Sequence, residues 1–197
     1  MKKSTLLIKS ALYLVAGWLA GFFISMFFPM CYQKFGTVMC FLFGFCSLGA
    51  ALCIYADFCL KAGAKMNTRS RRDVMPENEK HFGAVIGAVP TGINYVFVIL
   101  LWLSKLGALK FDFFPWYKTL TFYFMPFTYI FAPNTLVYDE TGRSFSQSVP
   151  ASELSWLGMI IITLLPLLFL LVCWATFYIG HEHIDVKSKI LYGNKKD

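Results

Sequence analysis

The stretch TLTFYFMPFTYIFAPNTLVY, residues 119–138, runs for twenty residues without a charge, and its reading decides how often the chain crosses a membrane. Twenty residues is the length at which an apolar helix, rising 1.5 Å per residue, covers a hydrocarbon layer about 30 Å thick. Against a crossing stand Pro126, Pro133, Asn134 and four threonines, which interrupt the helix ladder or load it with polar groups. Its aromatic residues, from Trp116 and Tyr117 through Phe122, Tyr123, Phe124, Phe127, Tyr129 and Phe131, suit the headgroup region. The segment is therefore expected to be interfacial or re-entrant rather than a fifth span.

On either side of it the pattern is plainer. Four runs without a charge exceed 20 residues: Ser10 to Gln33, Phe35 to Ala56, Phe82 to Ser104 and Leu154 to Gly180. Hydrophobic residues are 57% of the chain and charged ones 15%, against about 45–50% and about 25% in soluble domains. The fold class expected is an all-α integral membrane protein, a four-helix bundle in one membrane domain covering residues 1–197. Its spans fall at 10–30, 37–58, 83–104 and 155–180, with an outer loop at 105–154, a cytoplasmic loop at 59–82 and a tail at 181–197. The first run follows Met1-Lys2-Lys3 as a secretory signal would. A signal's apolar core is only about 7–15 residues long, so this longer run, leaving through Phe27-Phe28-Pro29-Met30, reads as an uncleaved span.

Lysine and arginine resist translocation and so set orientation. Lys2, Lys3, Lys9, Lys61, Lys65, Arg69, Arg71, Arg72, Lys80, Lys187, Lys189, Lys195 and Lys196 place thirteen on one side, and Lys34, Lys105, Lys110, Lys118 and Arg143 place five on the other. A fifth span would reduce this to ten against eight. Both termini are expected to be cytoplasmic, and the bias with compact loops suits a bacterial cytoplasmic (plasma) membrane. In the outer loop, TLVYDETGRSFSQSV (135–149) has strand-like residues on both sides of Glu140-Thr141-Gly142-Arg143, the pattern of a small β-hairpin.

In lipid, small residues that let backbones approach carry helix association. The first span offers Gly17, Gly21 and Ser25 at intervals of four; the second offers Cys46, Gly49, Ala50, Cys53 and Asp57 within about a third of its circumference. These stripes are expected to face each other across a turn near Lys34 and Gly36. The third span opens Gly83-x-x-x-Gly87 and meets Pro90, Thr91, Gly92 and Asn94; the fourth holds Thr163 and Pro166. Prolines bend helices, so Pro90, Thr91, Asn94, Thr163 and Pro166 are the candidate lining of a pathway, beside the plainer account of bends accommodated by packing.

Candidate chemistry is sparse. His81, His181, Glu182, His183, Asp185 and Asp57 share the cytoplasmic level, and zinc takes three such ligands plus a water. Yet His-x-His on a helix points two rings about 200° apart, and Gly180 followed by histidine reads as a helix end. No metal, cofactor or catalytic residue is assigned. Asp57 and Lys61, four apart, are expected to pair. Cys40, Cys46, Cys53, Cys59 and Cys173 act as small apolar residues, and Cys31 with Cys40 is the pair placed to oxidise.

Lys61, Lys65, Arg69, Arg71 and Arg72 are expected to contact anionic headgroups. No P-loop, GxGxxG or nucleic-acid-binding motif accompanies them. No ionisable residue lies near the centre of a span, which weakens a proton-coupled carrier. The function expected is a non-enzymatic subunit or accessory protein of a larger membrane assembly, associating with other membrane subunits or with itself. The alternative is a small transporter or channel, a homo-oligomer with its pathway near the bent third and fourth helices.

Overall fold

The computed structural model describes residues 3–70, 81–133, 135–138 and 144–182. Four helical stretches, Lys3–Met26, Thr37–Met66, Phe82–Lys105 and Trp156–His181, are long and apolar enough to cross a membrane, one for each charge-free run. The first helix, α1 (Lys3–Met26), ends just before Pro29, which sits in the first turn of α2 (Phe28–Phe35). There its missing N–H removes no helix bond. Gly36, with φ of 61°, then donates its N–H to the Tyr32 carbonyl at 2.8 Å and turns the chain through a left-handed conformation that a side chain would strain.

Helix α3 (Thr37–Ser70) has 34 residues and is about 51 Å long. A loop is expected from residue 59, but the lysines, alanines and methionine of KAGAKM (61–66) are good helix formers and the helix continues through them. Lys61 and Lys65 therefore stand one turn apart on a rigid rod. Helix α4 (Phe82–Lys105) follows, and the last long apolar stretch is two helices, α7 (Trp156–Leu164) and α8 (Leu167–His181), separated at Leu165–Pro166.

The long helices meet through glycines. Helix α8 packs on α3 and α4, and α1 on α3. A Cβ at Gly87 would lie 2.9 Å from Cys173 Cβ and from Leu170 Cα, and one at Gly83 would collide with Phe177 and stand 2.8 Å from the Cys173 carbonyl. Gly63 of α3 and Gly180 of α8 are reciprocal, each pressed on the other helix's backbone. Gly180 is thus a contact residue inside α8, which runs on to His181, rather than the terminator its position suggests.

The α1–α3 seam corrects the expected phase of α3. Gly17 meets Ala51, whose Cβ would lie 3.3 Å from a Cβ placed on the glycine. Tyr55 donates to the Ser10 carbonyl at 2.7 Å, and the Tyr13 and Phe58 rings stack at 4.4 Å. Cys46 and Cys53 are exposed, and a Cβ at Gly49 would meet nothing within 4 Å. The stripe Cys46, Gly49, Cys53 therefore faces outward, about half a turn from the face that touches α1.

Residues 114–131 form two seven-residue helices, α5 (Phe114–Leu120) and α6 (Met125–Phe131), joined by a turn whose tip is buried among the long helices. Each is about 10 Å long, too short to cross a bilayer. Three glycines make room for this helical hairpin. A Cβ at Gly21 would lie 2.7 Å from the Tyr123 nitrogen, one at Gly44 2.8 Å from the Phe127 ring, and one at Gly158 2.8 Å from Phe131. Gly21, expected to hold another long helix, in fact holds this turn. Ser25 and Ser47 donate to the Phe122 carbonyl at 3.3 and 3.5 Å, and the Trp18 indole donates to the Thr119 carbonyl at 2.9 Å. Beyond α6, Thr135–Tyr138 (β1) and Ser144–Gln147 (β2) pair antiparallel with Thr135 opposite Gln147. The turn at Glu140-Thr141-Gly142-Arg143 lies outside the described residues.

Candidate functional site

Three places carry polar chemistry, and the deepest lies midway along α4. Pro90 has no N–H, so the Ile86 carbonyl four residues earlier loses its donor. Ser10 of α1 supplies one, its Oγ donating to Ile86 O at 2.9 Å. Asn94 donates from Nδ2 to the Pro90 carbonyl at 2.8 Å and accepts at Oδ1 from the Tyr123 hydroxyl at 2.7 Å. Thr91 donates to the Pro166 carbonyl at 3.1 Å, tying the Pro90 turn of α4 to the break between α7 and α8. Thr163 donates to the Met159 carbonyl at 2.7 Å and accepts from the Trp102 indole at 3.0 Å. Thr91, Asn94, Pro90 and Pro166 are buried, so the expected lining residues come together as a hydrogen-bonded lock. Its central member, Tyr123, reads in the sequence only as an interfacial aromatic.

The second place is the end where α1 begins and α8 stops. Lys3 Nζ lies 5.5 Å from the Phe82 ring, Phe82 6.3 Å from Phe177, and Phe177 6.3 Å from His181. His81 accepts at Nδ1 from the Trp174 indole at 3.2 Å and stacks on that ring. His181 stands 3.7 Å from the adjacent Glu182, and Asp57 pairs with Lys61 at 2.6 Å, the i,i+4 contact its spacing suggests. Among the described residues no three of His, Cys, Asp or Glu converge on a point that could hold a metal; His183 and Asp185 lie outside them. Lys9, Lys61 and Lys65 rim a groove of about 110 Å³ floored by Leu6, Tyr13, Phe58 and Met66. Arg69 belongs to α3 but its side chain, with Arg71 and Arg72, lies outside the described set. The six cysteines are free, Cys31 and Cys40 included.

The third place is in residues 105–154, where Lys118 is one of four basic residues. Lys118 is 6% exposed. Its ammonium sits 4.3 Å from the Phe114 ring centroid and 4.7 Å from that of Tyr129, and donates to the Ala132 carbonyl at 3.3 Å and Ser148 Oγ at 3.1 Å. Two ring faces and two oxygens stabilise a cation there, yet burial outweighs them. Desolvation brings its pKa down from 10.5 to about 8, with Asp112 acting in the opposite sense. Asp112 Oδ1 in turn accepts from the backbone N–H of Phe114 at 3.0 Å and of Ala151 at 3.2 Å, and from Ser104 Oγ at 3.4 Å. One carboxylate thus joins α4, α5 and the turn at Ala151–Glu153. The available signal is a lone lysine inside an aromatic run, FDFFPWYKTLTFYF at 111–124.

No protein-family model matches the chain, and neither the characterised proteins nor the solved structures include one that is significantly similar to it.

Proposed function

We propose that this is a multi-pass membrane protein, its four long helices bundled across a bacterial plasma membrane with both chain ends cytoplasmic, and that it works as a non-enzymatic subunit of a larger membrane assembly. Support for insertion comes from the girdle of exposed apolar residues, with Ile8, Leu12, Val15, Leu19 and Phe23 on α1 and Leu157, Ile160, Leu164 and Leu171 on α7 and α8 among them. Soluble monomers rarely expose contiguous apolar patches beyond a few hundred Å². Exposed Trp116 and Trp156 toward one end and Trp174 toward the other fit two interfacial belts. In this reading the α5–α6 hairpin is re-entrant, and the paired strands β1 and β2 lie on the outer side.

The observation that carries the subunit reading is the outward stripe on α3. Small residues facing lipid gain nothing there, whereas against another helix they allow close backbone approach. Cys46, Gly49 and Cys53 offer such a strip beside the filled seams of Gly17, Gly83 and Gly87. A passage along these helices has less support, because Thr91 and Thr163 bond across between α4 and the α7–α8 stretch and Asn94 is taken by the Pro90 carbonyl and the Tyr123 hydroxyl. The test uses the native thiols. Mild oxidation of intact membranes should link α3 to its neighbour through Cys46 or Cys53, and the Cys46→Ser/Cys53→Ser variant should lose the link. A chain that stays unlinked and extracts at the mass of one copy overturns the proposal.

A further inference from the structure

The groove between α1 and α3 at the Lys3 end joins an apolar floor to a cationic rim. Leu6, Phe58, Ala62 and Met66 are buried along its length, and Tyr13 stacks on Phe58 at 4.4 Å. Around the mouth stand Lys9 from α1 and Lys61 and Lys65 from α3, all three exposed. Asp57 neutralises one of these charges through its 2.6 Å pair with Lys61. Three ammoniums against one carboxylate leave two positive charges. Among the described residues neither Lys9 nor Lys65 has an ion-pair partner.

We propose that this groove is a binding site for the phosphate of an anionic phospholipid, with Lys9 and Lys65 gripping the headgroup from two helices and the acyl chains running along the α1–α3 seam. The inference rests on the membrane reading above and adds to it a defined site, with a residue from α1 that the basic stretch of α3 does not contain. Depth supports it. Counting from Thr37, about 20 residues of α3 cross the hydrocarbon, which leaves Lys61 and Lys65 roughly one and two turns beyond its edge. That is the headgroup layer.

Size supports it too. A volume of about 110 Å³ is well below the roughly 300–1,000 Å³ of pockets that enclose a whole small molecule, so the groove takes a headgroup and leaves the rest outside. The arrangement matches an amphiphile of one charged end and one apolar body. A bound lipid bridges the two helices and stabilises their pairing by mass action.

The protein, purified in neutral detergent, is melted with added phosphatidylglycerol, phosphatidylcholine or inorganic phosphate, and native mass spectrometry counts retained lipids. Phosphatidylglycerol at saturation is expected to raise the melting temperature by about 5 °C and to leave one lipid bound. Phosphatidylcholine and inorganic phosphate are expected to do neither. Lys9→Gln/Lys65→Gln should lose the shift, Lys9→Arg/Lys65→Arg should keep it, and Lys34→Gln/Lys110→Gln at the other end should be unaffected. An equal response to phosphatidylcholine, a shift that survives Lys9→Gln/Lys65→Gln, or one reproduced by inorganic phosphate alone overturns the proposal. Vesicle flotation separates the two levels: protein that does not float refutes membrane insertion itself, while protein that floats but shows no phosphatidylglycerol-dependent melting shift refutes only this site.

Discussion

Lys118 gives the chain a stability that should rise with alkaline pH, opposite to what titration of lysines usually does. Unfolded, its ammonium keeps the ordinary value near 10.5; folded, burial among Phe114, Tyr129 and Ala132 brings it to about 8. Below pH 8 both states hold the proton, and the native state carries a desolvated charge. Between about pH 8 and 10.5 the native state has released the proton and the unfolded state has not, so the unfolded state binds more protons and stability climbs with pH. At about 1.4 kcal/mol per pH unit, the climb from pH 8 to about 9.5 is about 2 kcal/mol. For a chain of this length that is about 4–8 °C in melting temperature. Tyr129, pushed up to about 12 by burial, acts in the reverse sense once free tyrosine ionises near pH 10, so the clean window closes there. Asp112 is the charged group whose field acts on Lys118. The assay is a set of thermal melts in one detergent at closely spaced pH values from 7 to 9.5, for the native chain and Lys118→Met. The native chain should gain those degrees relative to the variant. An equal pH dependence in the native chain and Lys118→Met would refute the assignment of a buried, easily deprotonated lysine.

Two further substitutions test the packing. Gly87→Leu drives a side chain into the Leu170 backbone and Cys173, and overpacking costs about 3 kcal/mol or more when backbone must move. Gly49→Leu, entering open space, should stay within about 0.5 kcal/mol in the isolated chain, so the two melts side by side check the helix faces. Asp112→Ala strips three donors of their acceptor and should cost about 3 kcal/mol. The milder Asp112→Asn should shift the Lys118 transition to lower pH, because the carboxylate is what holds that pKa up, and the same pH-resolved melts read both effects.

How much of this is legible in the sequence follows from what the solvent rewards. The number of long helices is a one-dimensional property, since a run without charges is either long enough or it is not. Helix phase is different. In water the core face of a helix is apolar and the other face polar, so periodicity reveals which side is buried. In lipid both faces are apolar and the signal vanishes. Only residue size remains, and on α3 it selects Cys46, Gly49 and Cys53, whereas the face that meets α1 carries Ala51, Tyr55 and Phe58. Gly83 and Gly87 do lie in a seam because they sit where α8 passes, but Gly21 shows that a small residue marks a close approach without naming what approaches. Pro126 and Pro133 are enough to argue against a fifth span. They cannot say that Tyr123 reaches Asn94, a pair 29 residues apart.

The polar residues beside the prolines carry the more general lesson. A proline inside a helix in lipid frees the carbonyl four residues back, and no water is present to bond it. Ser10 on Ile86 O is first of all a repair of the backbone around Pro90. A polar side chain next to a membrane proline is therefore evidence for a pathway only after that local demand is met. In α4 the demand uses Ser10, Thr91 is taken by the Pro166 carbonyl, and Asn94 is taken at its nitrogen by the Pro90 carbonyl and at its oxygen by Tyr123. What looks like surplus polarity is the means by which the α5–α6 turn, the Pro90 turn of α4 and the break between α7 and α8 are held together.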